Sequence, residues 1–274
     1  MIRVLHKTGN TITDHSKALI DYNAGSMTLS SFGTSDAIYI GDINPSNHKY
    51  FKFDTANTDA SVLDLKLWDG TNFIDLAELR DDTSLSSAAF GQSEFVTWVP
   101  DKDLTNWSRE DTEDIDDLST IKIYDLYWVK ITTSINMTSG FVLDWVGNLF
   151  SNDQDLYTEY PIFNRAAIQA LFSTSDWQRQ IQKAAEIIID DLQKKGIIEH
   201  EGQIVEREQL NLASTHRTAQ IIFGSMGDDY EDDRVKAKRD YEDRLARGIY
   251  RIDTNKNATL DISEHNTKTG WLNR

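Results

Sequence analysis

The chain has 274 residues, which at roughly 150 residues per domain predicts two domains. It contains no Cys, so disulfides, zinc–thiolate sites and Cys nucleophiles are excluded. Asp and Glu number 45 against 28 Lys and Arg, a formal net charge of −17, which disfavours broad binding to a phosphate backbone. Apolar residues make up 39% and charged residues 27%, a globular balance. No run of 18 apolar residues occurs, so no membrane span is expected. The opening Met1-Ile-Arg-Val-Leu-His-Lys lacks the apolar block of a secretory leader, and none is expected.

In chain order, residues 1–30 are read as an N-terminal arm or edge strands. Ala37–Gly41 and Lys49–Asp54 are predicted strands, separated by the turn residues Asn44-Pro45-Ser46-Asn47. Ser61–Trp68 alternates, with Leu63, Leu65 and Leu67 on one face, and Asp69-Gly70 turns the chain into Phe73–Leu76. Phe95–Val99 is a further strand, stopped by Pro100. The acidic run Arg109–Asp117 reads as a solvated loop. Ile121–Thr132 is the strongest strand signal. It is apolar on both sides, as expected of a central strand that meets the core on one face and a loop or partner on the other. Short strands at this spacing predict an antiparallel, jelly-roll-like β-sandwich over residues 31–148.

Residues 149–274 are predicted to form a small α-helical bundle, so the fold class is α+β and multidomain. Pro161–Phe172 reads as one helix. Ser175 and Gln178 form a capping box for the next, along which Trp177, Ile181, Ala184 or Ala185, Ile188 and Leu192 recur at helical spacing. Ile197–Val205 is read as a small hairpin around Glu201-Gly202, and Glu206–Phe223 as a third helix. A fourth runs from about Asp229 to Arg247, acidic at its start and basic at its end, as the helix dipole favours. Its apolar stripe is thin: Tyr230, Val235 or Ala237, Tyr241 and Leu245. A helix so largely solvated is expected to lie against another subunit.

Residues 253–264 match the ligand spacing of a calcium loop, with Asp253, Asn255, Asn257, Thr259, Asp261 and Glu264 as ligands. The turn position that wants Gly holds Ala258. An Asn/Asp-rich turn capping the last helix is the competing reading. No His pair at metal spacing, no Gly-rich phosphate loop and no Gly-x-Ser-x-Gly occurs, so no enzyme is expected. His216 is read as a surface or core residue. Trp68, beside Asp69-Gly70, and Trp107, in a polar stretch, are the aromatics placed to stack on a glycan.

Two stretches carry a resemblance. The first comprises Asp176–Leu192, Thr218–Tyr230 and Ala237–Asn255. It resembles the head-to-tail connector (adaptor, neck) family of tailed bacteriophages. The second comprises Ile38-Tyr-Ile-Gly, Tyr50-Phe-Lys-Phe, Leu67-Trp-Asp-Gly, Phe95-Val-Thr-Trp and Leu126-Tyr-Trp-Val-Lys-Ile. It resembles accessory sandwich modules of phage particle proteins. The sandwich ahead of the helices departs from compact adaptors. The resemblance implies a virion protein at the head–tail junction, assembled in the host cytoplasm as a dodecameric ring. That ring would sit between portal and tail or neck protein, and double-stranded DNA would pass through its acidic channel without specific binding. Trp177, Ile181, Ala185, Ala219, Phe223, Tyr241 and Leu245 would be bundle residues, and Trp177, Tyr230, Tyr241 and Leu245 would serve the interface. The alternative is a collar or tail accessory protein whose sandwich binds glycans. No metal or cofactor beyond the possible Ca²⁺ is expected, and no membrane contact.

Overall fold

The computed structural model describes residues 2–20, 25–76, 78–98, 107–204, 207–250, 252 and 267–268. The protein is α+β: two β-sheets belong to a first compact unit ending at Gly147, and a helical bundle to a second that begins at Asn148.

The first unit holds β1 (Arg3–Thr8), β2 (Thr11–Asp14), α1 (Ser16–Ile20), β3 (Met27–Leu29), β4 (Ala37–Asp42) and β5 (His48–Thr55). Then come β6 (Leu63–Trp68), β7 (Phe73–Asp75), β8 (Leu79–Asp81), β9 (Glu94–Trp98), β10 (Arg109–Glu110), β11 (Leu126–Thr133) and β12 (Phe141–Gly147). One sheet has the order β2-β1-β4-β11-β6-β7, with β10 beside β11, and the other β3-β12-β5-β9-β8. The outermost strands, β2, β7, β3 and β8, are three or four residues long.

Among the described residues of 1–30, β2 and β3 are edge strands, one in each sheet, and β1 lies inside a sheet. β1 pairs with β4 from Arg3↔Gly41 to Lys7↔Ala37 and buries Val4 and Leu5, because its apolar centre is flanked by partners on both sides.

Strand β11 sets the layering. Val129 lies opposite Ile40 and Leu67, and Ile131 opposite Ile38 and Leu65. This face joins Phe51, Phe53, Val96, Phe141 and Leu143 of the other sheet in one apolar cluster. The opposite face of β11 carries Leu126 and Trp128, which pack with Leu5, Tyr39 and Trp68 in a second cluster. Its cover is the acidic run. Far from being a solvated loop, that run buries Thr112 and Ile115, and Leu118 just beyond it is buried too. Asp117 accepts hydrogen bonds from Lys7 Nζ at 2.5 Å, Lys130 Nζ at 2.6 Å and the Tyr39 hydroxyl at 2.7 Å. Burial works against the charged Asp117, but these three donors outweigh it and hold the carboxyl well below the usual range. Two apolar plugs and one ion-paired anchor thus turn a like-charged segment into a strap.

The second unit holds α2 (Asp153–Glu159), α3 (Ala166–Leu171), α4 (Gln178–Lys194), α5 (Asn211–Gly224) and α6 (Glu231–Arg247). Asn152 and Asp155 form a reciprocal capping box at the start of α2. The single helix expected over 161–172 is two pieces, because Arg165 is extended between a 3₁₀ turn (Pro161–Asn164) and α3. α4 begins without the expected Ser175/Gln178 box; instead the Trp177 backbone N–H donates to Asp153 Oδ1 at 2.8 Å. α4 buries Ile181, Ala184, Ala185, Ile188 and Leu192, the predicted stripe. The expected hairpin at 197–205 is a 3₁₀ turn, Glu201–Gln203, on the described residues. A compact cluster unites Phe150, Ile188, Leu192, Leu210, Ala213, Tyr241 and Leu245.

Candidate binding cleft in the helical unit

The polar features that converge in the second unit come from α2, α5 and α6. α5 has a polar buried face: Ser214, Thr215, His216 and Thr218 are all buried. Thr215 and Thr218 donate to carbonyls one turn back, Asn211 O at 2.9 Å and Ser214 O at 2.8 Å, so their hydroxyls are satisfied within the helix. His216 is 5% exposed. Its Nδ1 lies 2.8 Å from the hydroxyl of Tyr160, the residue after α2. Tyr160 in turn packs on Phe163 and Phe223. No described residue hydrogen-bonds to His216 Nε2.

A cavity of about 440 Å³ opens beside this pair, lined by Glu159, His216, Asp240, Asp243, Arg244, Arg247 and Gly248. The α6 residues recur at i, i+3, i+4 and i+7, which puts them on one face of that helix. Glu159 comes from the last turn of α2. Burial lowers the His216 pKa, opposed by Glu159 and Asp240 and assisted by Arg244 and Lys236. The Tyr160 phenol is pushed up, first by burial and then by Asp240, Glu159 and Asp233. The floor of the cleft is therefore a neutral imidazole and a neutral phenol under a net negative field.

The residues singled out from sequence lie elsewhere. Trp177, Tyr241 and Leu245 are buried within the helical unit, so the folded unit does not offer them to another subunit. Trp177 donates its indole N–H to Phe163 O at 3.1 Å, and the Tyr241 hydroxyl donates to Asp191 Oδ2 at 2.5 Å. All three pack inside the helical unit. Tyr230 is half-buried and stacks on Phe223. Trp68 and Trp107, the glycan-stacking expectation, are buried in the two clusters of the first unit. Trp107 also donates its indole N–H to Trp128 O at 3.0 Å, so neither ring presents an open face. The calcium loop, Asp253, Asn255, Asn257, Thr259, Asp261 and Glu264, lies outside the described residues. Among the described residues no group of three or more His, Asp or Glu is placed to hold a metal ion, and no helix is long and apolar enough to cross a membrane.

His216 was not a site residue by sequence. Its spacing to Ala219 and Phe223, three and seven residues on, puts it on the buried stripe of α5, and that was the available signal. Glu159 carried none, since it reaches the cleft only through tertiary folding. No family model, curated protein or solved structure matches the chain.

Proposed function

We propose that the chain is a structural subunit of the tailed-phage head-to-tail junction, with copies joined in a dodecameric ring between portal and neck or tail protein. The observation that carries this reading is the last long helix. Of its 17 residues α6 buries Ala237, Tyr241 and Leu245 in its own unit. The rest is a charged surface laced by Glu231–Arg234, Lys236–Asp240, Lys238–Glu242 and Asp243–Arg247 pairs. Such a helix suits a wet, polar contact between copies. Since Trp177, Tyr241 and Leu245 are buried, that contact uses exposed groups such as Val235, which is 51% exposed on α6.

The acidic balance supports the role. Carboxylates lining a channel repel the phosphate backbone, so double-stranded DNA slides through without sticking. The two sheets of the first unit feed one apolar cluster, which supports its reading as a jelly-roll-like sandwich of the accessory kind found in phage particles. No catalytic step is assigned, and the protein's place is the virion, after assembly in the host cytoplasm.

Electron microscopy of the purified chain mixed with portal rings of its parent phage tests this. The expected result is a second ring stacked on the portal. A chain that stays monomeric with and without portal overturns the reading.

A further inference from the structure

We propose that the cleft formed by α2, α5 and α6 binds an organic cation, an alkylammonium or alkylguanidinium group, between the Glu159 carboxylate and His216 Nε2. The inference does not depend on the ring.

Three observations carry it. First, the cavity of about 440 Å³ is in the range of small-molecule sites. Second, His216 is 5% exposed, lines the cavity and spends Nδ1 on Tyr160. Its Nε2 has no hydrogen-bond partner among the described residues and is left accessible. Third, carboxylates outnumber cations on the lining: Glu159, Asp240 and Asp243 against Arg244 and Arg247. Asp243 is paired with Arg247 at 3.6 Å and Asp240 with Lys236 at 3.3 Å, whereas Glu159 has no ion pair among the described residues. Arg247 is 80% exposed at its side chain and reaches into water.

The geometry also fixes a proton. A guest that donates N–H to Nε2 requires the tautomer protonated at Nδ1, which then donates to the Tyr160 hydroxyl oxygen. Binding therefore selects one imidazole tautomer. The cation can be a free amine or a Lys or Arg side chain of a partner, and both bring the same chemistry.

The test is a titration of the full-length chain, carrying ¹⁵N-labelled histidine, followed by NMR of the imidazole nitrogens. His216→Gln identifies the His216 signals. Agmatine serves as the free cation and N-acetyl-arginine N-methylamide as the side-chain mimic. The expected result is a saturable shift in which Nε2 takes the signature of an unprotonated nitrogen. Glu159→Gln, at an exposed position, should weaken binding about tenfold, or about 1.4 kcal/mol. Tetramethylammonium, which has no N–H, should leave the tautomer unchanged. Tighter binding of agmatine assigns a free amine, and tighter binding of the capped arginine assigns a partner side chain. Shifts reproduced by potassium chloride at equal ionic strength, insensitive to Glu159→Gln, or exceeded by those from sodium phosphate overturn the proposal.

Discussion

Asp117 joins three donors in the first unit, since two ammonium groups and one phenol converge on it. Replacing it with Ala leaves Lys7 and Lys130 without their acceptor beneath the strap. Charge-assisted bonds at a part-buried site are worth about 1–3 kcal/mol after solvent screening. Asp117→Ala should therefore lower the urea-unfolding free energy by that amount and speed amide exchange over residues 112–123, and unchanged exchange there would refute the anchor. The histidines give a second prediction. Burial lowers the pKa of His6, His15 and His216 below the ordinary value. The unfolded chain then binds protons that the folded chain refuses, so this stability is complete above about pH 6.5 and drains away as pH falls below it. Asp117, whose pKa is depressed, adds its own loss only below about pH 4. The urea midpoint should fall between pH 7 and pH 5, and a constant midpoint over that window would contradict the burial of these rings.

At the scale of elements, the contact of β4 with β11 depends on an absent side chain. Gly41 lies opposite Trp128, and a Cβ there would come within 2.8 Å of the indole and 2.9 Å of Leu126. Gly41→Ala should cost about 1–3 kcal/mol by overpacking, read from thermal or urea unfolding. On α6 the two sides of the helix should respond oppositely. Leu245→Ala removes a buried isopropyl group and should cost about 2–5 kcal/mol. Val235→Asp should change folding stability by less than about 0.5 kcal/mol yet abolish ring formation in native mass spectrometry. The elements legible in sequence were those whose periodicity coincided with burial. α4 buries its i, i+3, i+4 and i+7 stripe, and β11 buries alternate residues on both faces. Those that were missed had a local reason. β12 alternates in burial only over Phe141–Trp145, and its last three residues, Trp145–Gly147, are all buried. α2 buries only Leu156 and was marked by an Asn-x-x-Asp box rather than by an apolar face. The strap over 109–117 hid one apolar plug, Ile115, and the buried Thr112 in a run whose charge dominated the reading, with the second plug, Leu118, just beyond it. The cleft was half legible: the α6 charges share a face by spacing alone, whereas the approach of Glu159 and Tyr160 to His216 joins positions 56 or more residues apart.

For the whole molecule, a net charge of −17 decides what it can touch. Labelled duplex DNA should show no change in anisotropy with the purified chain at about 0.15 M salt, where surface charges still act over about 8 Å. Saturable binding there would remove the sliding-channel argument. The sheet borders set a further limit on association. Each sheet of the first unit ends in strands of three or four residues, and β2 is exposed at Thr11, Thr13 and Asp14. A neighbour seeking to extend a sheet by backbone pairing finds too short a template to hold on to. Many copies can thus be crowded side by side, as on a particle, without zippering into fibrils, and concentrated solutions should stay clear and free of cross-β diffraction.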